Sequence, residues 1–286
     1  MATSTDQAAS SRILRLRLRA HFEGGVPKPP PWPAGALRIM RGSEREDCEV
    51  STLADLIRGD EDVTQHVLKL ARTTIYLTRE PVMTVEQAVR VLGFRAIREM
   101  TLISASKSSV FSARRKHTGI AEIFRHSLGA GFVAREIARA HGWDEQEAFV
   151  AALFHQAGAA LTLSHVARLG AGLQPPTDEV LDELLATYEP AMSEALADAW
   201  ALTQGVRESL SHWRRDVPGA AAPRAALVTR LAGALATRIE SGDDFEAMRR
   251  GLAEHPALVR LNIFPDVVED LLLRRDEFAE IVEAAS

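Results

Sequence analysis

Thr84-Val-Glu-Gln-Ala-Val-Arg-Val-Leu-Gly93 carries the signals for both ends of a helix. The Thr84 hydroxyl can accept an amide of the first turn while Gln87 reaches back to cap Thr84, and Gly93 supplies the stop. From about Ser51 onward apolar residues recur at helical spacing, and strand-like alternation is nearly absent. The spacing predicts an all-α protein made of one multi-helix domain. A second helix should run from Phe94 to Ser106, then a polar loop from Ser108 to Gly119. A long helix should follow from Ile120 to His141, with Ile120, Phe124, Gly131, Ala134 and Ile137 on one stripe.

Asp144 and Glu147 form another expected capping box, opening a single helix that is apolar on every side through Ala148 to Leu163. Thr177 should cap the next helix, with further ones over Ala191–Thr203, Val206–Arg214 and Pro223–Glu240 and short ones to the C-terminus. The breaks at Gly170–Thr177 and Pro218–Pro223 are too short to be interdomain linkers. The expected division is an N-terminal arm at 1–26, read as partly disordered or docked, a helical domain at 27–241, and C-terminal helices at 242–286 packing on that domain.

Composition narrows the class. The chain has 286 residues, a formal charge of -5 and 46% apolar residues, as an ordinary globular protein does. Cys48 is its one cysteine, which rules out an internal disulfide and a thiolate cage, and the N-terminus lacks the apolar block of a signal peptide. A cytoplasmic location is expected. The run Ala148–Leu163 is shorter than the roughly 20 residues a spanning helix needs, so it is read as a core helix. Arg12, Arg15, Arg17 and Arg19 alternate with aliphatic residues. They read as the solvated side of a docked arm, or as a contact for an anion or a partner. Five prolines within Pro27–Pro33 forbid helix and make an extended lead-in that either packs Trp32 or offers a PxxP ligand.

Ala151-Ala-Leu-Phe-His-Gln-Ala-Gly158 places a histidine and a glutamine in the middle of the apolar helix. Together with Leu56–Thr64, Leu68–Ala71, Thr84–Met100, Phe124-Arg-His126-Ser127 and Leu196–Leu202, in that order, it resembles the HDOD domains. These are bacterial relatives of the HD phosphohydrolases that have generally lost the full metal site. The chain departs from the family pattern at Arg72-Thr73, where asparagine-serine is usual, at Thr203, where proline is common, and at Gln156, which replaces an aspartate. Paired histidines are usual after Leu202, whereas only His212 lies there. The resemblance implies an HD-like helical fold, and a cytoplasmic regulator working with other signalling or regulatory proteins.

An HD hydrolase needs an upstream histidine, an adjacent His-Asp pair and a distal aspartate, so that a divalent ion can lower the pKa of a bound water. His126 and His155 are candidates for two of those positions, but Gln156 offers only a neutral amide oxygen. His126, His155 and Gln156 are therefore read as a vestigial pocket, with Gln156 as the hydrogen-bonding partner of His155 or an amide bridge. It remains open to a small ligand. No GxSxG, Walker glycine loop or HExxH occurs. The expectation is no catalytic residue, no metal and no cofactor, in a non-catalytic module acting through protein contacts, with nucleic acid not among its partners. One rival is a degenerate metal-dependent phosphohydrolase or cyclic-nucleotide phosphodiesterase that recruits Asp144, Glu147 or Asp198. The other is a nucleotide or nucleic-acid binder using the arginine arm, whose binding would collapse with salt.

Overall fold

The computed structural model describes residues 4–73, 81–112, 119–214, 222–242, 244–252 and 254–285, and among them there is no strand. The chain runs through α1 (Ser4–Glu23), α2 (Ala34–Ser43), α3 (Val50–Arg58), α4 (Glu61–Leu70) and α5 (Val85–Ser109). It continues with α6 (Ile120–Ala140), α7 (Glu145–Phe154), α8 (Ala157–Leu169), α9 (Asp178–Ala199), α10 (Gln204–His212) and α11 (Arg224–Ser241). The last helices are α12 (Phe245–Leu252), α13 (Pro256–Leu261), α14 (Pro265–Leu273) and α15 (Arg275–Ala285). The all-α expectation is met. Parts of the expected Ser108–Gly119 loop and of the Pro218–Pro223 break lie outside the described residues.

Contacts group the chain into two units, Met1–Pro30 with Val110–Glu269, and Pro31–Ser109 with Asp270–Ser286. The N-terminal arm belongs with the middle of the chain, and α15 belongs with α2 to α5. In the second unit Lys69 donates to the Glu283 carbonyl at 2.9 Å, tying α4 to α15 across most of the sequence.

The Thr84 capping box forms as expected. Gln87 donates its amide to Thr84 Oγ1 at 3.2 Å, and its side-chain oxygen accepts from the Met83 and Thr84 amides at 2.8 and 3.0 Å. Gly93 adopts φ 75° and ψ 165°, a conformation open to glycine, so α5 is two helices meeting at a kink.

In the first unit α6 follows its expected bounds, and Phe132 meets Phe149 across the α6–α7 contact with ring centroids 5.4 Å apart. Asp144 caps α7, accepting from the Glu147 amide at 2.9 Å. Glu147 does not complete the box, because its carboxylate is turned to the Thr203 hydroxyl at 3.4 Å. Asp144→Ala is expected to cost about 1 kcal/mol, read from the urea midpoint, because the cap amide then loses its partner.

Two expected helix bounds are corrected. The helix expected through Ala148–Leu163 is broken at His155–Gln156, where Gln156 leaves helical geometry at φ -109° and ψ 12°. The segment expected to start at Ala191 is instead the second half of α9, which runs through Pro190 without ending. By composition Glu145–Leu169 could cross a membrane, but 78% of its most apolar window is buried inside the fold.

The arm forms a helix. Leu14 and Leu18 of α1 are buried against Val166, Val180 and Leu184, and Phe22, Leu169 and Tyr188 pack around them. The proline lead-in is also tied down, since the Pro30 carbonyl accepts the Trp200 indole N–H at 2.9 Å.

Candidate functional site

The break between α7 and α8 shapes the site. A helix C-terminus leaves carbonyls without amide partners. Nδ1 of His155 lies 2.6 Å from the Ala152 carbonyl, which makes that nitrogen the protonated one and leaves Nε2 as a bare acceptor. His155 is 1% exposed, and its Nε2 is buried without a hydrogen-bond partner among the described residues. Burial first, and then the neighbouring His126, holds the His155 imidazole neutral by lowering its pKa to about 3.

His126 approaches from α6, with its ring centroid 5.4 Å from that of His155. Its Nδ1 lies 3.1 Å from Glu240 Oε2 on α11. A carboxylate at Nδ1 orients the imidazole and, in the neutral ring, turns the Nε2 lone pair to the far side. Both Nε2 atoms converge beside Gly233 of α11, where an added Cβ would lie 3.7 Å from His155 Nε2 and 3.8 Å from His126 Nε2. The absent side chain leaves the two rings facing a small common space.

Trp213 closes another side, edge-on to His155 with centroids 4.6 Å apart. The Arg214 guanidinium lies 4.6 Å above the Trp213 ring and pairs with Glu189 of α9 at 3.2 Å. Burial pushes the Glu189 carboxyl upward in pKa, and Arg214 opposes that shift. Ser127, next to His126, has a buried hydroxyl without a hydrogen-bond partner among the described residues.

Of the expected residues, His126 and His155 come together. Gln156 does not join them as a partner: it is half-buried, and no hydrogen bond links its amide to either imidazole. It heads α8 instead, because the turn that frees the Ala152 carbonyl carries the next residue away along the new helix axis. His212 lies on α10 with Nδ1 at 2.8 Å from the Glu208 carbonyl. Glu240, Gly233 and Trp213 were not singled out in the sequence. Gly233 and Glu240 stand seven residues apart on α11, a spacing that puts them on one face and was the available signal.

The arginine arm is partly engaged. Arg15 grips Glu183 with its closest contact at 2.6 Å, Arg17 donates to the Leu169 carbonyl at 2.7 Å, and Arg19 pairs with Glu23 at 2.7 Å. Arg12 is exposed and makes no ion pair among the described residues.

The donor set does not fit the metal of an HD hydrolase. Two imidazoles share a point without a carboxylate, since Glu240 sits behind His126 at Nδ1. Among the described residues no group of three or more His, Cys, Asp or Glu could hold a metal ion. The recruited carboxylates do not reach the histidines either. Asp144 and Glu147 lie towards the opposite end of α7, about 16 and about 12 Å from His155 along the helix, and Asp198 is paired with Arg207.

Fold and site thus define an all-α, HD-like domain in which a histidine of α6 meets one at the end of α7. The HDOD domain model matches residues 30–215, and the chain belongs to the HDOD family. Solved structures with the same fold include an HDOD domain protein of unknown function from Geobacter sulfurreducens, 21% identical, with a TM-score of 0.66 over 96% of this chain and 97% of that one. A provisionally named metal-dependent phosphohydrolase from Shewanella amazonensis is 18% identical, with a TM-score of 0.68 over 98% and 100%. A provisionally named signal transduction protein from Marinobacter aquaeolei is 18% identical, with a TM-score of 0.61 over 96% and 66%. No curated protein matches the chain.

Proposed function

We propose that this HDOD protein is a non-catalytic regulator of the bacterial cytoplasm that acts by contact with other signalling proteins. The carrying observation is that the Nε2 atoms of His155 and His126 meet beside Gly233 with no third metal-binding side chain to join them among the described residues. A divalent ion poised to activate water is held by at least three protein donors, and two imidazole nitrogens fall short of that set. The relative named as a signal transduction protein supports the signalling part of this reading. The single cysteine supports the reducing compartment.

Protein purified after growth with added manganese, iron and zinc is expected to carry substoichiometric metal and to leave cyclic dinucleotides and bis-nitrophenyl phosphate intact. Tagged protein with a photo-crosslinker should capture a discrete signalling partner that a scrambled-surface variant does not. Stoichiometric metal lost on His155→Ala, together with phosphodiester turnover, would reverse the assignment. The phosphohydrolase reading would then have to use Glu240, the carboxylate nearest the two rings.

A further inference from the structure

The arginine arm and a groove on α9 and α10 remain without a role, and their chemistries match. In α1 the face opposite Leu14 and Leu18 presents Arg12, Leu16 and Arg19 at helical spacing, with Ile13 beside them. Leu16 is 61% exposed and Ile13 is 40% exposed. A docked helix that buries one apolar stripe and exposes a second, basic one has two surfaces to satisfy.

The groove between α9 and α10 has a volume of about 930 Å³. Its apolar wall includes Leu185, Leu210 and Trp213, and its rim carries Asp182, Glu194 and Glu208. The two arginines of the groove are already engaged, Arg207 by Asp198 and Arg214 by Glu189. Asp182, Glu194 and Glu208 make no ion pair among the described residues; Glu208 accepts only the neutral Gln204 amide at 2.8 Å. The groove therefore combines an apolar bed with an uncompensated negative rim, which calls for a helix offering a leucine between cations.

We infer that the Arg12–Leu16–Arg19 face of α1 in one copy of this chain seats in the α9–α10 groove of a second copy. Leu16 meets the apolar wall, Arg12 meets the rim carboxylates, and Arg19 joins it by exchanging its exposed pair with Glu23 for the rim. The inference does not rest on the regulator reading, since the two surfaces are complementary whatever the histidine pocket does. Trp213 belongs both to the groove wall and to the histidine pocket, so an occupied groove abuts the ring that touches His155.

Sedimentation velocity over a concentration series is expected to show self-association of the full chain that weakens with added salt, because the rim charges are exposed and screened. The double variant Arg12→Glu with Arg19→Glu should weaken association by about tenfold or more, and Leu16→Asp should do the same. All three positions are exposed, and unchanged circular dichroism and urea midpoint establish that these variants still fold. Adding Glu194→Arg and Glu208→Arg to the double variant should restore association. A chain that stays monomeric throughout the series overturns the inference. So does an oligomer indifferent to all of these substitutions, or a groove that takes up an unrelated basic peptide while the chain remains monomeric.

Discussion

Gly158→Ala is expected to destabilise the protein by about 3 kcal/mol, the upper part of the range for overpacking a tight core. Gly158 lies in the second residue of α8, and an added Cβ would come within 2.1 Å of Ser193 Oγ and 2.5 Å of the Glu189 carbonyl oxygen. The hydroxyl could rotate away, but the Glu189 carbonyl belongs to the backbone of α9 and can yield only if the two helices separate. Separation would loosen the buried contacts of Ala157, Leu161, Met192 and Leu196. The urea midpoint measures the loss. A midpoint within error of the parent would mean that α8 and α9 do not approach as closely as described.

The second large effect follows from His155 and pH. Its imidazole titrates near 6.5 in the unfolded chain and at about 3 in the fold, so between those values the unfolded state binds the additional proton. The contribution is complete above about pH 6.5 and is lost progressively as pH falls toward 3. Because the ring is fully buried, the loss is on the order of a few kcal/mol. His165, whose pKa is lowered to about 4 by burial, Arg168 and His21, adds in the same direction but is half-buried and contributes less. Glu189, raised by burial, acts against both.

His155→Phe removes the titrating group while retaining an aromatic ring against Trp213. Urea denaturation of the two proteins at pH 7 and pH 5 should show the parent losing more stability than the variant over that interval. Since His165 and Glu189 are common to both chains, the difference between them isolates His155. Equal losses would show that the imidazole is not held neutral.

Several elements were legible from residue spacing because their causes are local. The Thr84–Gln87 box and the Gly93 stop depend on hydrogen bonds and backbone freedom within a few residues, and they appear as expected. The α6 stripe did not require knowledge of its neighbours, since a helix must bury its apolar side somewhere. The break at His155–Gln156 was illegible because an apolar helix and two helices joined by a tight turn share the same pattern of residues. Pro190 was misleading in the opposite sense: proline usually ends a helix, yet the packing of α9 carries it through.

The candidate site divides in the same way. His126 and His155 could be marked from their surroundings in the chain, and the replacement of the usual aspartate by Gln156 could be seen there too. Glu240, 114 residues beyond His126, could not be joined to it without the fold. What the sequence alone determined was helicity and most of the caps, each set by interactions within a turn or two. The tertiary structure decided that α11 brings Gly233 and Glu240 to the two imidazoles, that Gln156 turns away from them, and that α1 docks with a basic face outward. Those outcomes depend on which buried stripes meet, and that choice is made by packing across the whole chain rather than by any single segment.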